Sequence, residues 1–357
     1  MNEDDRKSFL YSRREFGKLA LTAVPAAGWL TKSNGFLEAA ARAAKPDSVV
    51  GGVRIGVIAP YSFHNMPSDA ESLLKDIVAL GIGACELQAP PAESFAGAPS
   101  GAGRGAGSGA AGPGGPQGPA PGGRGGGRAA PTPEQLAAQQ AAARDLKTWR
   151  LSVSMDKFKA LRKLYNDAGV QIYGFKLGLT TQMSDDEYEY TFNVAEALGA
   201  DQLTMELPGD GKRTRRIGEF AAKRKMMVGY HAHLQATLTM WDEAISQSKY
   251  NGVNLDIGHY VAGTSQSPIP MIMKHHDRIT SMHLKDRKIN EGPNMPWGRG
   301  DTPIKEVLRL MKKERYKFPA TIELEYDPPP GSDTMKEIAR CLQYCKDALG
   351  EGGGGPV

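Results

Sequence analysis

Gln202-Leu203-Thr204-Met205-Glu206, Met227-Val228-Gly229-Tyr230-His231-Ala232-His233 and Gly252-Val253-Asn254-Leu255-Asp256-Ile257-Gly258-His259 decide the fold. Each is a short apolar run that closes on acidic or imidazole side chains, and amphipathic helical stretches separate one from the next. That alternation is the signature of β/α units around a parallel sheet. Read outward, it gives eight strands, at 54–59, 84–88, 171–176, 202–207, 227–231, 252–257, 279–284 and 320–326. The helices between them carry their own punctuation. Ser184-Asp185-Asp186-Glu187 is a capping box, and Gly81, Gly169 and Gly199 follow helical runs where a left-handed residue is wanted.

Eight units in succession predict a closed (β/α)8 TIM barrel of the α/β class, spanning 53–349. Barrels of this kind run to about 250 residues, and the 357-residue chain exceeds that through two appendages. One is a block at 93–135, densest in Gly, Ala, Pro, Ser and Arg over 97–128, which has too little apolar surface to offset its ordering entropy. It predicts a disordered insertion in the loop after strand two, with a helix resuming at 131–149. The other is the N-terminal stretch 1–44. A Gly-rich tail, 350–357, ends the chain. No G-x-G-x-x-G follows the first strand, so a dinucleotide-binding fold lacks its main mark.

The charge balance is nearly even, with 44 Lys and Arg against 40 Asp and Glu. No basic run is interleaved with aromatics, so no nucleic-acid partner is expected. The densest basic cluster, at 212–225, reads as the solvated face of a helix. Three cysteines, Cys85, Cys341 and Cys345, make no disulfide framework. Stability must come from the core.

Ser12-Arg13-Arg14-Glu15-Phe16-Gly17-Lys18, followed by the apolar run 19–30 and an Ala-rich exit at 39–44, resembles a twin-arginine export signal. The apolar run is too short to span a bilayer. The expectation is a signal peptide at 1–44, a periplasmic protein and no stable membrane anchor.

Active sites of this fold sit at the C-terminal ends of the strands, and metal-ligand residue types collect there. Glu206 ends strand four, His231 and His233 strand five, Asp256 and His259 strand six, and His283 strand seven, while Glu323 and Glu325 lie in strand eight. Four of the seven histidines fall in these positions. Carboxylate and imidazole donors without thiolate suit Mn²⁺, with Co²⁺, Fe²⁺, Mg²⁺ or Zn²⁺ also compatible. Taken singly, each of these residues is as readily structural; a lone histidine at a strand end is more often a hydrogen-bonded core residue. Their convergence on one rim points to a metal site.

The Asp-x-x-His of Asp256 and His259, His283 with Lys285 and Arg287 following, Glu323, and the loop Gly298-Arg299-Gly300-Asp301 resemble the xylose-isomerase-like barrel superfamily of sugar isomerases and epimerases. Tyr230-His231-Ala232-His233 resembles the Tyr-His-x-His of its inosose-dehydratase-like branch. The resemblance implies one divalent ion held by two glutamates, an aspartate and a histidine, of which Asp256, His283 and Glu323 carry over directly. Where the epimerase-type relatives place a glutamate on strand five, this chain has His231, and the remaining carboxylate comes from Glu206.

These assignments predict Glu206, His231, Asp256, His283 and Glu323 as ligands. Glu206 and Glu323 also stand as acid/base candidates together with His233, His259 and Lys176. Lys176 has an equal reading as the interior partner of Glu206. Lys285, Arg287, Glu86, His64 and Glu325 are candidate substrate contacts, and Tyr61 and Trp297 candidate stacking platforms. The chemistry expected is proton abstraction next to a carbonyl of a monosaccharide or keto-sugar, by an isomerase or epimerase. The alternative is a lyase or dehydratase acting on a keto-inositol or 3-keto-glycoside. A barrel that only binds carbohydrate is a further reading, as is an endonuclease relative, which wants more ligands and a DNA-binding surface. A homo-oligomer is compatible with the sequence.

Overall fold

A computed structural model describes residues 45–99 and 132–350. The export signal expected at 1–44, the bulk of the low-complexity block at 100–131 and the tail at 351–357 lie outside the described residues. In chain order the elements are β1 (Val49–Val50), β2 (Val53–Ala59), α1 (Ala70–Ala79), β3 (Ala84–Gln88), α2 (Ala89–Phe95), α3 (Pro133–Ser152), α4 (Asp156–Asp167) and β4 (Gln171–Lys176). There follow α5 (Asp185–Leu198), β5 (Gln202–Glu206), α6 (Gly211–Arg224), β6 (Met227–His231), α7 (Asp242–Gln247), β7 (Asn251–Asp256), α8 (Ile257–Thr264) and α9 (Ile269–His275). The last are β8 (Ile279–Leu284), β9 (Asp286–Arg287), β10 (Asn294–Met295), α10 (Ile304–Glu314), β11 (Ala320–Ile322) and α11 (Thr334–Leu349). Among the described residues no helix is long and apolar enough to cross a membrane.

Strands β2, β3, β4, β5, β6, β7, β8 and β11 pair in parallel, each with its sequence neighbour. The pairing of β2 with both β3 and β11 closes the ring. Seven strands agree with the sequence reading to within a residue at either end. The eighth is shorter, stopping at Ile322, so Glu323 and Glu325 stand past its end instead of within it. The cause is local. Glu323 N–H still reaches Leu284 O, at 3.1 Å, but Leu324 N–H turns to Ser62 Oγ, at 3.2 Å. The chain thereby leaves the ladder for the loop after β2.

Local chemistry sets the helix boundaries. Asp69, Asp210 and Asp333 each accept a backbone N–H from the first turn of α1, α6 and α11. Ser184 with Glu187 and Thr132 with Gln135 form complete capping boxes. Gly199 closes α5 at φ 71°, a left-handed backbone that favours glycine. The apolar faces so aligned pack on the outer wall of the barrel, where Leu73, Phe158, Phe192, Ile217, Leu308 and Ile338 are buried.

The edges of the low-complexity block are helical, 93–95 ending α2 and 133–135 opening α3. A buried ion pair ties these two helices. Arg150 Nε and Nη2 donate to the two oxygens of Glu93, at 2.7 and 3.1 Å, and Tyr190 Oη donates to Glu93 at 2.9 Å. Both charged side chains are only 6% exposed. Removing one partner of such a pair strands the other, which typically costs about 3–5 kcal/mol. Glu93→Ala should lower the unfolding free energy by about that amount in urea titrations. A loss under about 1 kcal/mol would show that the pair does not hold α3 to the barrel.

Candidate active site

Side chains from the C-terminal ends of the strands meet inside the barrel mouth. Two carboxylates come from the end of β11, Glu323 and Glu325, and one each from β3, β5 and β7, namely Glu86, Glu206 and Asp256. Asp256 shows how the sequence builds the site. It is the N-cap of α8, its Oδ1 accepting His259 N–H at 2.7 Å. The three-residue spacing of the Asp-x-x-His motif is therefore a capping spacing. It occupies one carboxylate oxygen, leaves Oδ2 facing the interior, and brings the His259 ring in on the first helical turn. Gly258 between them permits the close approach of β8. A Cβ there would stand 2.3 Å from Lys285 Cγ and 2.7 Å from Lys285 O.

Lys285, 1% exposed, is the cationic centre of this group. Its Nζ lies 2.9 Å from Asp256 Oδ2, 3.1 Å from Glu323 Oε2 and 2.6 Å from Glu325 Oε2. Burial opposes its charge, yet these carboxylates hold its pKa well above the usual lysine value. Tyr61 Oη donates to the other oxygen of Glu325. His283 Nδ1 lies 2.9 Å from Glu323 Oε2. Burial opposes protonation of His283, but Glu86 and Glu323 on either side raise its pKa to about 10. His231, wholly buried, is pushed well below the usual histidine value by desolvation and is a neutral imidazole. Burial, with Lys285 beside it, does the same to His259.

At the rim, Glu206 joins two partners. Lys176 Nζ lies 3.1 Å from Oε1, and His233 Nε2 lies 3.0 Å from Oε2. Desolvation resists the Glu206 charge, but Lys176 and the imidazoles hold its pKa well below the carboxylate range. The Glu206 hydrogen bond raises His233 against the opposing effect of its own burial. Glu206 and His233 are each 41% exposed in the side chain, so this pair faces solvent at the mouth.

Two overlapping groups place ligand-type atoms within 4.8 Å of one another: His231, Asp256 and His283, and His231, His233 and His259. In the first, chemistry favours a cation. Asp256 Oδ2, His283 Nδ1 and the adjacent Glu323 Oε2 are buried without a hydrogen bond of good geometry, although Lys285 is near in distance. Five carboxylates in the mouth outnumber its lysines and arginine, Lys176, Lys285 and Arg287, and the protonated imidazole of His283 offsets part of the difference. In the second group both ring nitrogens of His259 face cations, Lys285 and Arg287, each at 3.0 Å. That disfavours a metal ion there.

With the geometry in view, the comparisons with known proteins are direct. The profile of the family described as xylose isomerase-like TIM barrel matches residues 137–345. The chain belongs to that family. An inosose dehydratase of Clostridium botulinum (strain Eklund 17B / Type B) is 24% identical over 154 residues, 37% of this chain and 51% of that protein. The chain thus spans about half the length of the curated relatives it matches. Among solved structures, D-psicose 3-epimerase from Clostridium cellulolyticum H10 superposes with a TM-score of 0.54 at 12% identity, over 83% of this chain and 99% of that one. The probable 3-DHS dehydratase of Bacillus anthracis gives 0.53 at 13%, over 82% and 99%. These structural likenesses are of fold.

This xylose isomerase-like barrel brings the expected ligands His231, Asp256, His283 and Glu323 together. Glu206 stands at the rim, its oxygens engaged by Lys176 and His233, outside both groups of converging ligand atoms. Glu86 is not a substrate contact. It is wholly buried, bonded to Thr204, Asn254 and His283 beneath the site. Arg287 is turned away too, its guanidinium holding Gly292 O and His259. His64 bonds Leu324 O at 2.5 Å, near the rim. Trp297 packs edge-on against Tyr344 of α11, 5.8 Å away, and is no sugar platform. Tyr61 bonds Glu325 instead of standing free for stacking. Sequence reasoning missed Asn254, whose side chain meets His231, Glu86 and Ser281. Its signal was parity, two residues before Asp256 on the same strand.

Gly258→Ala should displace the Lys285 strand and destabilise the fold by about 1–3 kcal/mol, the usual cost of overpacking. Urea unfolding measures it; an unchanged midpoint would mean that the contact relaxes freely.

Proposed function

We propose that this barrel catalyses divalent-metal-dependent proton transfer at the carbon beside a carbonyl of a monosaccharide or keto-sugar, as a sugar isomerase or epimerase does. The observation that carries the reading is the set of buried ligand atoms on Asp256, His283 and Glu323 that lack a hydrogen bond of good geometry, beside neutral His231, in a mouth whose carboxylates outnumber its lysines and arginine. His231, Asp256, His283 and Glu323 would hold the ion. A divalent ion bound there would supply Lewis-acid stabilisation of the enediolate that forms when the proton leaves.

The remaining roles follow from the chain's own groups. Glu206 is ionised, half-exposed and fixed from two sides, so it is placed to take the proton once substrate displaces one of the partners that lower its basicity. Its carboxylate points toward incoming ligand, and Lys176 at Oε1 keeps it charged until the proton arrives. His233, donating to the other oxygen, holds a proton that it can return to the substrate after Glu206 has taken one. Across the mouth, Glu325, held by Lys285 and Tyr61, is placed to accept from substrate hydroxyls.

A second outcome, loss of water from the same enediolate, is favoured by one feature. His231 stands where epimerase-type relatives have a glutamate, so the two faces of the substrate meet unlike groups. The inosose dehydratases among the relatives agree with that reading. The export signal expected in the sequence extends the proposal to a periplasmic enzyme acting on unphosphorylated sugar.

The test uses the full-length protein, stripped of metal and restored with Mn²⁺, in D₂O with free ketoses, keto-inositols and 3-keto-glycosides. NMR should show Mn²⁺-dependent deuterium entry beside the carbonyl. Glu206→Gln should slow it by about 10²–10⁴-fold, the usual worth of a positioned base. His283→Ala should abolish both Mn²⁺ uptake and exchange. A substrate that also loses water would identify the lyase outcome. No exchange across the set, with or without Mn²⁺, would overturn the proposal.

A further inference from the structure

Beneath the ligand atoms lies a carboxylate that proton transfer does not use. Glu86 on β3 is 0% exposed. Its Oε1 accepts from Thr204 Oγ1 at 2.8 Å, while Oε2 faces His283 Nε2 at 3.1 Å and Asn254 Nδ2 at 3.2 Å. An ionised carboxylate accepts hydrogen bonds and donates none. His283 must therefore carry a proton on Nε2, so Nδ1, which faces Glu323 and Asp256, is the nitrogen that would give up its proton to take a divalent ion.

The same logic passes through Asn254. Its amide nitrogen is drawn to Glu86 and also donates to Ser281 Oγ, at 2.7 Å. The reverse orientation would set an amide oxygen against the buried carboxylate. With the nitrogen so placed, Asn254 Oδ1 faces His231 Nδ1, at 2.9 Å, and that nitrogen must carry the proton. His231 is left with Nε2 to offer. The approach of Asn254 Nδ2 to His283 Nε2, at 3.3 Å, then joins two donors and is packing, not a bond.

We infer that Glu86 is a positioning residue that fixes which nitrogen of both His231 and His283 is offered to a divalent ion, directly for His283 and through Asn254 for His231. The inference rests on the metal reading above and adds to it a residue that touches neither ion nor substrate. Carboxylates and carbonyls behind metal-binding histidines commonly act in this way, and their loss weakens metal binding by about 10–100-fold. Here one charge, two bonds away, governs two ligands on different strands.

The test compares Mn²⁺ affinity by calorimetry for full-length, metal-stripped native protein, Glu86→Gln and Thr204→Val. Glutamine keeps the shape but can turn a donor toward His283 and Asn254, so neither tautomer is enforced. Thr204→Val removes the bond to Oε1 and keeps the charge. Glu86→Gln should bind Mn²⁺ about 10–100-fold more weakly, and Thr204→Val within about threefold of native. Long-range ¹H–¹⁵N spectra of native protein loaded with diamagnetic Zn²⁺ should show His283 protonated at Nε2 and His231 at Nδ1. This arm decides the matter even if Glu86→Gln does not fold. Native protein that takes up no Mn²⁺ would overturn the metal reading itself. Firm native binding with Glu86→Gln unchanged, or His283 bound through Nε2, would overturn this inference alone.

Discussion

Concentrated negative charge in a confined space organises this molecule. Five carboxylates enter one end of a closed barrel, where water screens most of them poorly and burial penalises each charge. Every other feature of the mouth answers that constraint. Lys285 lies among Asp256, Glu323 and Glu325, Lys176 engages Glu206, and His283 stands between Glu86 and Glu323. These contacts explain why the histidines, alike in sequence, behave differently in place. His283 is flanked by carboxylates and gains affinity for a proton, whereas His259 loses it to burial, with Lys285 beside it. The divalent ion proposed above would suit such an arrangement, since the lysines and arginine leave part of the charge unbalanced.

The barrel meets the geometric requirement this imposes. Parallel strands deliver their C-terminal residues to one rim whatever the sequence separation, so Glu86 and Glu323, far apart in the chain, both reach His283. The middle of the barrel is correspondingly polar. Tyr173 and Thr321 bond across it, as do Gln202 and Ser281, and above them Thr204 and Asn254 hold Glu86. This buried network carries the orientation of the site, while the apolar contacts holding the fold lie between strands and helices.

Much of this was legible in the sequence, for identifiable reasons. Strand positions follow from apolar runs that have no alternative use, and capping residues mark helices because a carboxylate or hydroxyl at that position has a specific N–H to satisfy. The convergence of His231, Asp256, His283 and Glu323 follows from strand-end placement alone. What could not be read was which way each polar residue is turned. Glu86 and Glu206 both close predicted strands, yet one lies sealed beneath the site and the other at the rim. Arg287 follows Lys285 at the same parity, but the β9–β10 turn supplies a carbonyl at Gly292 that captures it. Such outcomes depend on partners from distant strands, and no local pattern records them. The early end of β11 is of this kind too, set by a serine hydroxyl in the loop after β2.

The clasp between Glu93 and Arg150 bears on how this gene can change. Closing a loop costs free energy that grows only with the logarithm of its length, about 0.6 kcal/mol for each doubling. Once α2 and α3 are held by their own buried pair, the wall of the barrel is insulated from whatever chain connects them. Residues can accumulate or be lost at that junction with little effect on the polar rim. The junction is thus a tolerant port in an otherwise closed architecture, a place where lineages of this barrel can diverge in length without renegotiating the fold.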